Sequence, residues 1–334
     1  MIAAVRFKNF KALRSAAVRL ESFNLIIGPN GSGKTSLIQA LLSLRTLALS
    51  VDQPREGRTA RAGGPEIDYQ FSPPFADFTV RMRCVAEMVC DVLRVEHPSG
   101  PAGDAKWADL RSRLRRIRAF LFDHHAMAAP AAVKEGGELS SNAGNLAAVL
   151  AARREKTPAA YVRLVEEFRR IMPEFAELSF REAGPGHVEL ILKDSQYGDL
   201  IPADSLSQGV LNLLAVLTLS FAPEPPSIVC LEEADRGIHP RLLREVRDAL
   251  YRLSNPRDFE EPRGPVQVIV TTHSPYLLDL FRDHPEEVVL ANKEGRTATF
   301  ERLADRPDLL ELMKEANLGD LWYSGILGGV PGEE

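Results

Sequence analysis

The 334-residue chain predicts an α/β fold: a mixed sheet with a small antiparallel lobe and an inserted, mostly helical subdomain. Three observations predict it. Leu25-Ile26-Ile27 is an apolar run that leads into a glycine-rich loop, Gly28 to Thr35, and then into an apolar helix. Ser227 to Leu231 and Val266 to Thr272 are two more apolar runs, and each ends in polar residues, Glu232-Glu233 and His273. Continuous apolar runs of this length suit strands buried on both faces. Finally, Phe78, Val80, Met82 and Cys84 alternate with Thr79, Arg81 and Arg83, the period of a half-buried antiparallel strand.

The totals fit this reading. Hydrophobic residues make up 45% of the chain and charged residues 26%, as in soluble globular proteins. A net charge of −5 argues against coating nucleic acid by charge alone. Three cysteines, Cys84, Cys90 and Cys230, are too few and too irregularly spaced for a disulfide framework or a zinc site, so a reduced, cytoplasmic setting is expected. No apolar run reaches the roughly 18 residues of a membrane span.

In chain order, Ile2 to Phe7 and Ala16 to Leu20 read as strands around a turn at Lys8 to Lys11. Residues 36–42 form the helix after the glycine-rich loop, and 52–64 read as an exposed loop. Val85 to Val95 returns as the partner of the alternating strand; Gln70 is placed before this small sheet, either as a γ-phosphate-sensing glutamine or as a surface residue. His97 to Gly103 reads as a linker. Trp107, Leu110 and Leu114 have helical spacing, with Arg111, Arg115 and Arg116 on the polar side as a solvated face or a phosphate-backbone contact. Ile117 to Phe122 is open between helix and strand. His124-His125 has no partner at metal-ligand spacing. Helices are expected at 145–155 and 160–171, and a hairpin at 178–193. The expected domains are therefore 1–99, a mostly helical insertion at 100–176, and 177–334.

The chemistry concentrates in four stretches. Gly28-Pro29-Asn30-Gly31-Ser32-Gly33-Lys34-Thr35 matches the phosphate-binding pattern G-x-x-x-x-G-K-[ST] between strand and helix. Its N–H groups and the helix N-terminus attract anions, so Asn30 to Thr35 with Ser36 are the candidate nucleotide ligands. Lys34 is expected on an exposed loop with its charge unpaired until it meets the β- and γ-phosphates, and the Thr35 hydroxyl is a candidate Mg²⁺ ligand. Ser207-Gln208-Gly209 opens an apolar helix, either as a plain cap or as a γ-phosphate contact. Glu232 is the candidate metal ligand and Glu233 the candidate base for the attacking water, although which of the two touches the metal stays open. His273, after the last apolar strand, is the candidate γ-phosphate sensor.

Taken with Asn9-Phe10-Lys11, Asn145 to Leu150, His239-Pro240 and Leu318 to Trp322, these residues resemble the ABC-type ATPases of the DNA-maintenance branch. That branch holds RecF-like, SMC-like and OLD-like proteins, and the chain is similar to the stand-alone AAA_21 members. The resemblance implies an ABC-type head with ATP and Mg²⁺ as cofactors. It also implies a homodimer that sandwiches two ATP molecules, Ser207 and Gly209 of one subunit capping the nucleotide on Lys34 of the other. Ala234-Asp235 stands where relatives commonly have Pro-Glu, and no D-x-D nuclease cluster follows His273. The implied role is an ATP-driven switch for DNA or for a separately encoded nuclease-like effector, in phage defence or DNA maintenance. The alternative is the nucleotide-binding subunit of a transporter.

Overall fold

A computed structural model describes residues 1–50, 64–86, 89–295 and 297–328. The stretch expected as an exposed loop, 52–64, lies almost wholly outside them. β1 (Ile2–Phe10), β2 (Leu13–Arg19) and β3 (Phe23–Ile27) lead into α1 (Lys34–Ser50). β4 (Glu66–Phe71), β5 (Thr79–Ala86) and β6 (Val89–Glu96) are followed by α2 (Pro101–Arg115), β7 (Ile117–Phe120), α3 (His124–Ala128) and β8 (Ala131–Ala132). Next come α4 (Leu146–Lys156), α5 (Pro158–Ile171), β9 (Phe175–Glu182), β10 (His187–Asp194) and β11 (Leu200–Pro202). α6 (Gln208–Ser220), β12 (Ile228–Leu231), α7 (Leu243–Ser254) and β13 (Gln267–Thr272) follow. The chain closes with α8 (Pro275–Asp279), β14 (Val288–Glu294), β15 (Thr297–Arg302), α9 (Leu309–Glu315) and α10 (Leu318–Tyr323).

These elements form two compact units. The first comprises Met1–Ala119, Pro226–Cys230 and the chain from Val266 onward. It holds an antiparallel sheet ordered β2-β1-β4-β5-β6 and a six-stranded sheet ordered β15-β14-β3-β13-β12-β7. In the second sheet β3 lies parallel to both β13 and β14. β3 is buried at every position, as its unbroken apolar run requires. α1 sends Leu37, Leu41 and Leu44 into one core with Val5, Phe10, Tyr69 and Met82 of the antiparallel sheet and Ile26 and Ile269 of the other. Two buried amides stitch the strands together. Gln267 accepts from the Ile2 N–H at 3.0 Å and donates to the Ile2 and Glu21 carbonyls, and Asn24 donates to the Glu21 carbonyl at 2.8 Å.

The second unit comprises Phe120–Pro225 and Leu231–Pro265. Its axis is α6, buried from Gly209 through Ser220; a helix apolar on all sides needs such a central place. α5 and α7 each bury one face, α4 is buried all round from Leu146 to Leu150, and β9 to β11 with β8 form a small antiparallel sheet.

Several expectations change. β1 and β2 run on to a turn at Lys11-Ala12, with Asn9 and Lys11 in the left-handed region. Gln70 does not precede the small sheet. It lies within it on β4, between Ala4 and Thr79. Pro101 and Gly103, expected in a linker, belong to the first turn of α2. The open segment after it is the strand β7. α2 belongs to the first unit, while the rest of the expected 100–176 insertion, from Phe120, belongs to the second. Arg111 and Arg115 do not form a solvated face. Both donate Nε to the Ala48 carbonyl in the last turn of α1, at 3.0 Å each. Cys84 and Cys90 are disulfide-bonded, against the reduced state expected from their spacing. The β5–β6 register sets them opposite each other, a proximity invisible in the linear order. Cys230 is buried and takes no part in a disulfide.

Candidate nucleotide site

In the first unit the phosphate-type loop leaves β3 at Gly28 and enters α1 at Lys34. The loop is built on close approach. A Cβ at Gly28 would stand 2.2 Å from the Ala291 carbonyl oxygen, so only glycine lets the chain pass beside β14. Gly31 has φ +76° and is exposed. Gly33 rests against Leu13 and Ala298.

Lys34 is not on an exposed loop with an unpaired charge, as the sequence suggested. It is 8% exposed, and Nζ donates to the Gly28 carbonyl at 2.6 Å and the Pro29 carbonyl at 2.9 Å. The loop is thus curled on its own lysine. A bare ammonium at that depth is costly, and the two loop carbonyls offset part of that cost. The Ser32 hydroxyl is fully buried without a hydrogen-bond partner. An orphaned hydroxyl in a glycine-rich turn at a helix N-terminus fits an oxyanion ligand. Asn30 and Thr35 are exposed, and Ser36 is half-buried.

His273 emerges beside this loop. The parallel pairing of β13 with β3 sets Thr272 opposite Ile27, so His273 and Gly28 leave the sheet as neighbours. The His273 ring is exposed, and Ser274 behind it caps α8 by accepting from the Leu277 N–H at 3.3 Å.

The second unit holds the other candidates. The Glu232 N–H donates to the Phe120 carbonyl at 2.8 Å, which fixes the half-buried glutamate at the end of β12. Glu233 is exposed and has φ +51°, a left-handed conformation unusual for glutamate. Its carboxylate lies 3.7 Å from the Arg236 guanidinium. Ser207 caps α6: its hydroxyl accepts from the Val210 N–H at 3.4 Å.

The structure also joins two stretches that the sequence left separate. A Cβ at Gly209 would lie 2.9 Å from the Gly237 carbonyl oxygen, and one at Gly237 would lie within 2.6 Å of the Gln208 side chain. Asn212, one turn into α6 and 4% exposed, donates Nδ2 to the Arg236 carbonyl. The start of α6 is therefore locked to the turn after the paired glutamates. Asn212 and Gly237 were missed as parts of this assembly. The available signal was an amide within the otherwise hydrophobic run 209–217 and a glycine four residues beyond Glu233. Among the described residues no three histidine, cysteine or acidic side chains gather as a metal site, and no helix is long and apolar enough to cross a membrane.

Comparison with known proteins agrees with this geometry. The model of an AAA ATPase domain family matches residues 1–71. The SMC head bound to the C-winged helix domain of ScpA is similar over 90% of this chain and 96% of its own, at 14% identity and a TM-score of 0.57. The Smc head domain with an extended coiled coil bound to the C-terminal domain of ScpA, derived from Pyrococcus furiosus, is similar over 94% and 99%, at 12% identity and a TM-score of 0.54. At such identities the likeness establishes the fold alone, that of an SMC head domain. No curated protein matches the chain. The AAA_21 model, described as AAA domain, putative AbiEii toxin, Type IV TA system, spans residues 104–279. That is more than half of the chain, which therefore belongs to the AAA_21 family of ATPases.

Proposed function

We propose that the protein is an ATP-hydrolysing switch in which two copies close on two ATP molecules and part after hydrolysis. The observation that carries this reading is the loop itself, with Lys34 held by two loop carbonyls beside the orphaned Ser32 hydroxyl. On nucleotide binding Lys34 exchanges those carbonyls for the β- and γ-phosphate oxygens, while the N–H groups of residues 30–36 cradle the chain of phosphates. Thr35 and Glu232 would hold Mg²⁺, whose chemistry here is to neutralise charge on the phosphates. Glu233 orients and deprotonates the attacking water, and His273 donates to the γ-phosphate. Ser207, Gln208 and Gly209 of one copy face the nucleotide held by Lys34 of the other. The family description, a putative toxin of a toxin–antitoxin system, supports a defence role; the effector in this proposal is separately encoded and DNA-directed or nuclease-like.

The test is the mass in solution of the Glu233→Gln variant, by light scattering with and without ATP and Mg²⁺. Removing a general base slows the reaction about 10²–10⁴-fold, so the ATP-bound pair should accumulate. A mass that doubles only with ATP is the expected result. A mass that ignores ATP, in a protein whose inter-copy distance also ignores it, would remove the mechanism.

A further inference from the structure

The phosphate-type loop lies against one hairpin. Ala291 of β14 backs Gly28, and Ala298 of β15, with Leu13, backs Gly33. At Gly28 the hairpin offers a backbone carbonyl and at Gly33 a methyl group, so at both places its contact is short and uncharged. The third glycine is treated differently. The nearest atoms to a Cβ at Gly31 are Nζ and Cδ of Lys293, at 3.7 and 3.9 Å. Lys293 is exposed and adjacent in register to Ala298, so the β14–β15 pairing fixes its place beside the loop.

Two lysines therefore bracket the same turn. Lys34 is inside it, bound to the Gly28 and Pro29 carbonyls, and Lys293 stands at its solvent edge. The position is not explained by packing, because the flexible stem of a lysine fills no core and Gly31 itself is exposed. It is explained by charge. A nucleoside triphosphate carries more negative charge than one lysine and one divalent cation neutralise, and an ammonium on a long stem meets phosphate as a point charge.

We infer that Lys293 is a second phosphate-binding lysine, supplied by the neighbouring strand, that contacts the phosphates of the nucleotide held in the loop. The inference rests on the nucleotide reading given above, and it adds a residue that none of the loop motifs contains. Lys34 enters from the helix and must give up its carbonyl partners. Lys293 enters from the solvent side at no such cost, and it supplies early electrostatic attraction as well as affinity.

Equilibrium binding of ATP, titrated at several salt concentrations, tests it on the full-length protein and on Lys293→Gln, Lys293→Arg, Lys293→Glu and Lys34→Ala. The expected result for Lys293→Gln is about tenfold weaker binding with a shallower salt dependence. Lys293→Arg should stay within a few-fold of the parent, and Lys293→Glu should be weaker than Lys293→Gln. The ligand-free melting temperature should not move, since the side chain is exposed. Adenosine affinity should be the same in the parent and Lys293→Gln, because the contact is to phosphate. Parent-like ATP binding by both the Gln and Glu variants, while Lys34→Ala loses it, would overturn the inference and leave the nucleotide reading standing. Equal losses for adenosine and ATP would also overturn it. A parent protein that binds no ATP would sink both.

Discussion

At the scale of single residues, Lys34 carries two loads. In the ligand-free protein it satisfies the Gly28 and Pro29 carbonyls from a buried position, and in the proposed cycle it binds phosphate. Lys34→Ala should therefore cost stability before any nucleotide is added. Hydrogen bonds from a charged donor contribute about 1.5–3 kcal/mol each, and the ammonium's own desolvation offsets much of that, so a net loss of about 1–2 kcal/mol is expected. Thermal melting would show a ligand-free transition a few degrees lower, and the upward shift produced by ATP should vanish. An unchanged ligand-free transition would mean that the two carbonyl bonds contribute nothing. Glu233 shows the same tension between fold and function. Its left-handed backbone is a strain that a side chain kept for its carboxylate can justify.

At the scale of elements, the informative junction is between the first turn of α6 and the turn after β12. Gly209 is present because the Gly237 carbonyl occupies the space of a Cβ, and backbone cannot move aside as a side chain tip can. Gly209→Ala should destabilise the second unit by about 1–3 kcal/mol, the usual range for overpacking. Gly264→Ala is the control, since a Cβ there meets nothing within 4 Å. Chemical denaturation of the two variants should separate them clearly, and equal midpoints would show that the junction is looser than its geometry. α2 follows the same logic of contact. Its Arg111 and Arg115 serve the C-terminal end of α1, where carbonyls lack helical partners and the dipole favours cations.

At the scale of the whole molecule, each unit is assembled from separated stretches of chain and needs clasps between them. In the second unit one clasp is Glu261, from Leu231–Pro265, held by Arg163 of α5 in Phe120–Pro225 and by Arg252 of α7. Both guanidiniums also lie over the Phe221 ring, at 5.5 and 4.4 Å. Burial acts to raise the Glu261 pKa, but the hydrogen bonds and charges of Arg163 and Arg252 outweigh it and hold the carboxyl below its ordinary value. A carboxylate depressed in the folded state stabilises fully above its unfolded pKa of about 4.3, and that contribution fades as pH falls through the lower folded value. Glu261→Gln should lose about 1–3 kcal/mol at neutral pH. Urea titrations should show the gap between parent and variant closing as pH drops below about 4. A gap of constant size across that range would refute the clasp.

The sequence by itself determined the elements and the chemistry of the loop. The apolar runs of β3, β12 and β13, the alternation in β5 and the G-x-x-x-x-G-K-[ST] spacing are local patterns, and local patterns survive in a linear text. Ser207 as a cap and the hairpin of β9 and β10 were legible for the same reason. Tertiary structure alone decided what depends on distant partners. It buried Lys34 against its own loop, drew Arg111 and Arg115 onto Ala48, and placed Gln70 inside a sheet. It also bonded Cys84 to Cys90, locked Gly209 onto Gly237 and set Lys293 beside Gly31. Most of these turn on strand register or on the approach of segments remote in sequence, while the Lys34 contacts turn on the curl of its own loop. A one-residue change of register would separate Lys293 from the loop without altering a single motif.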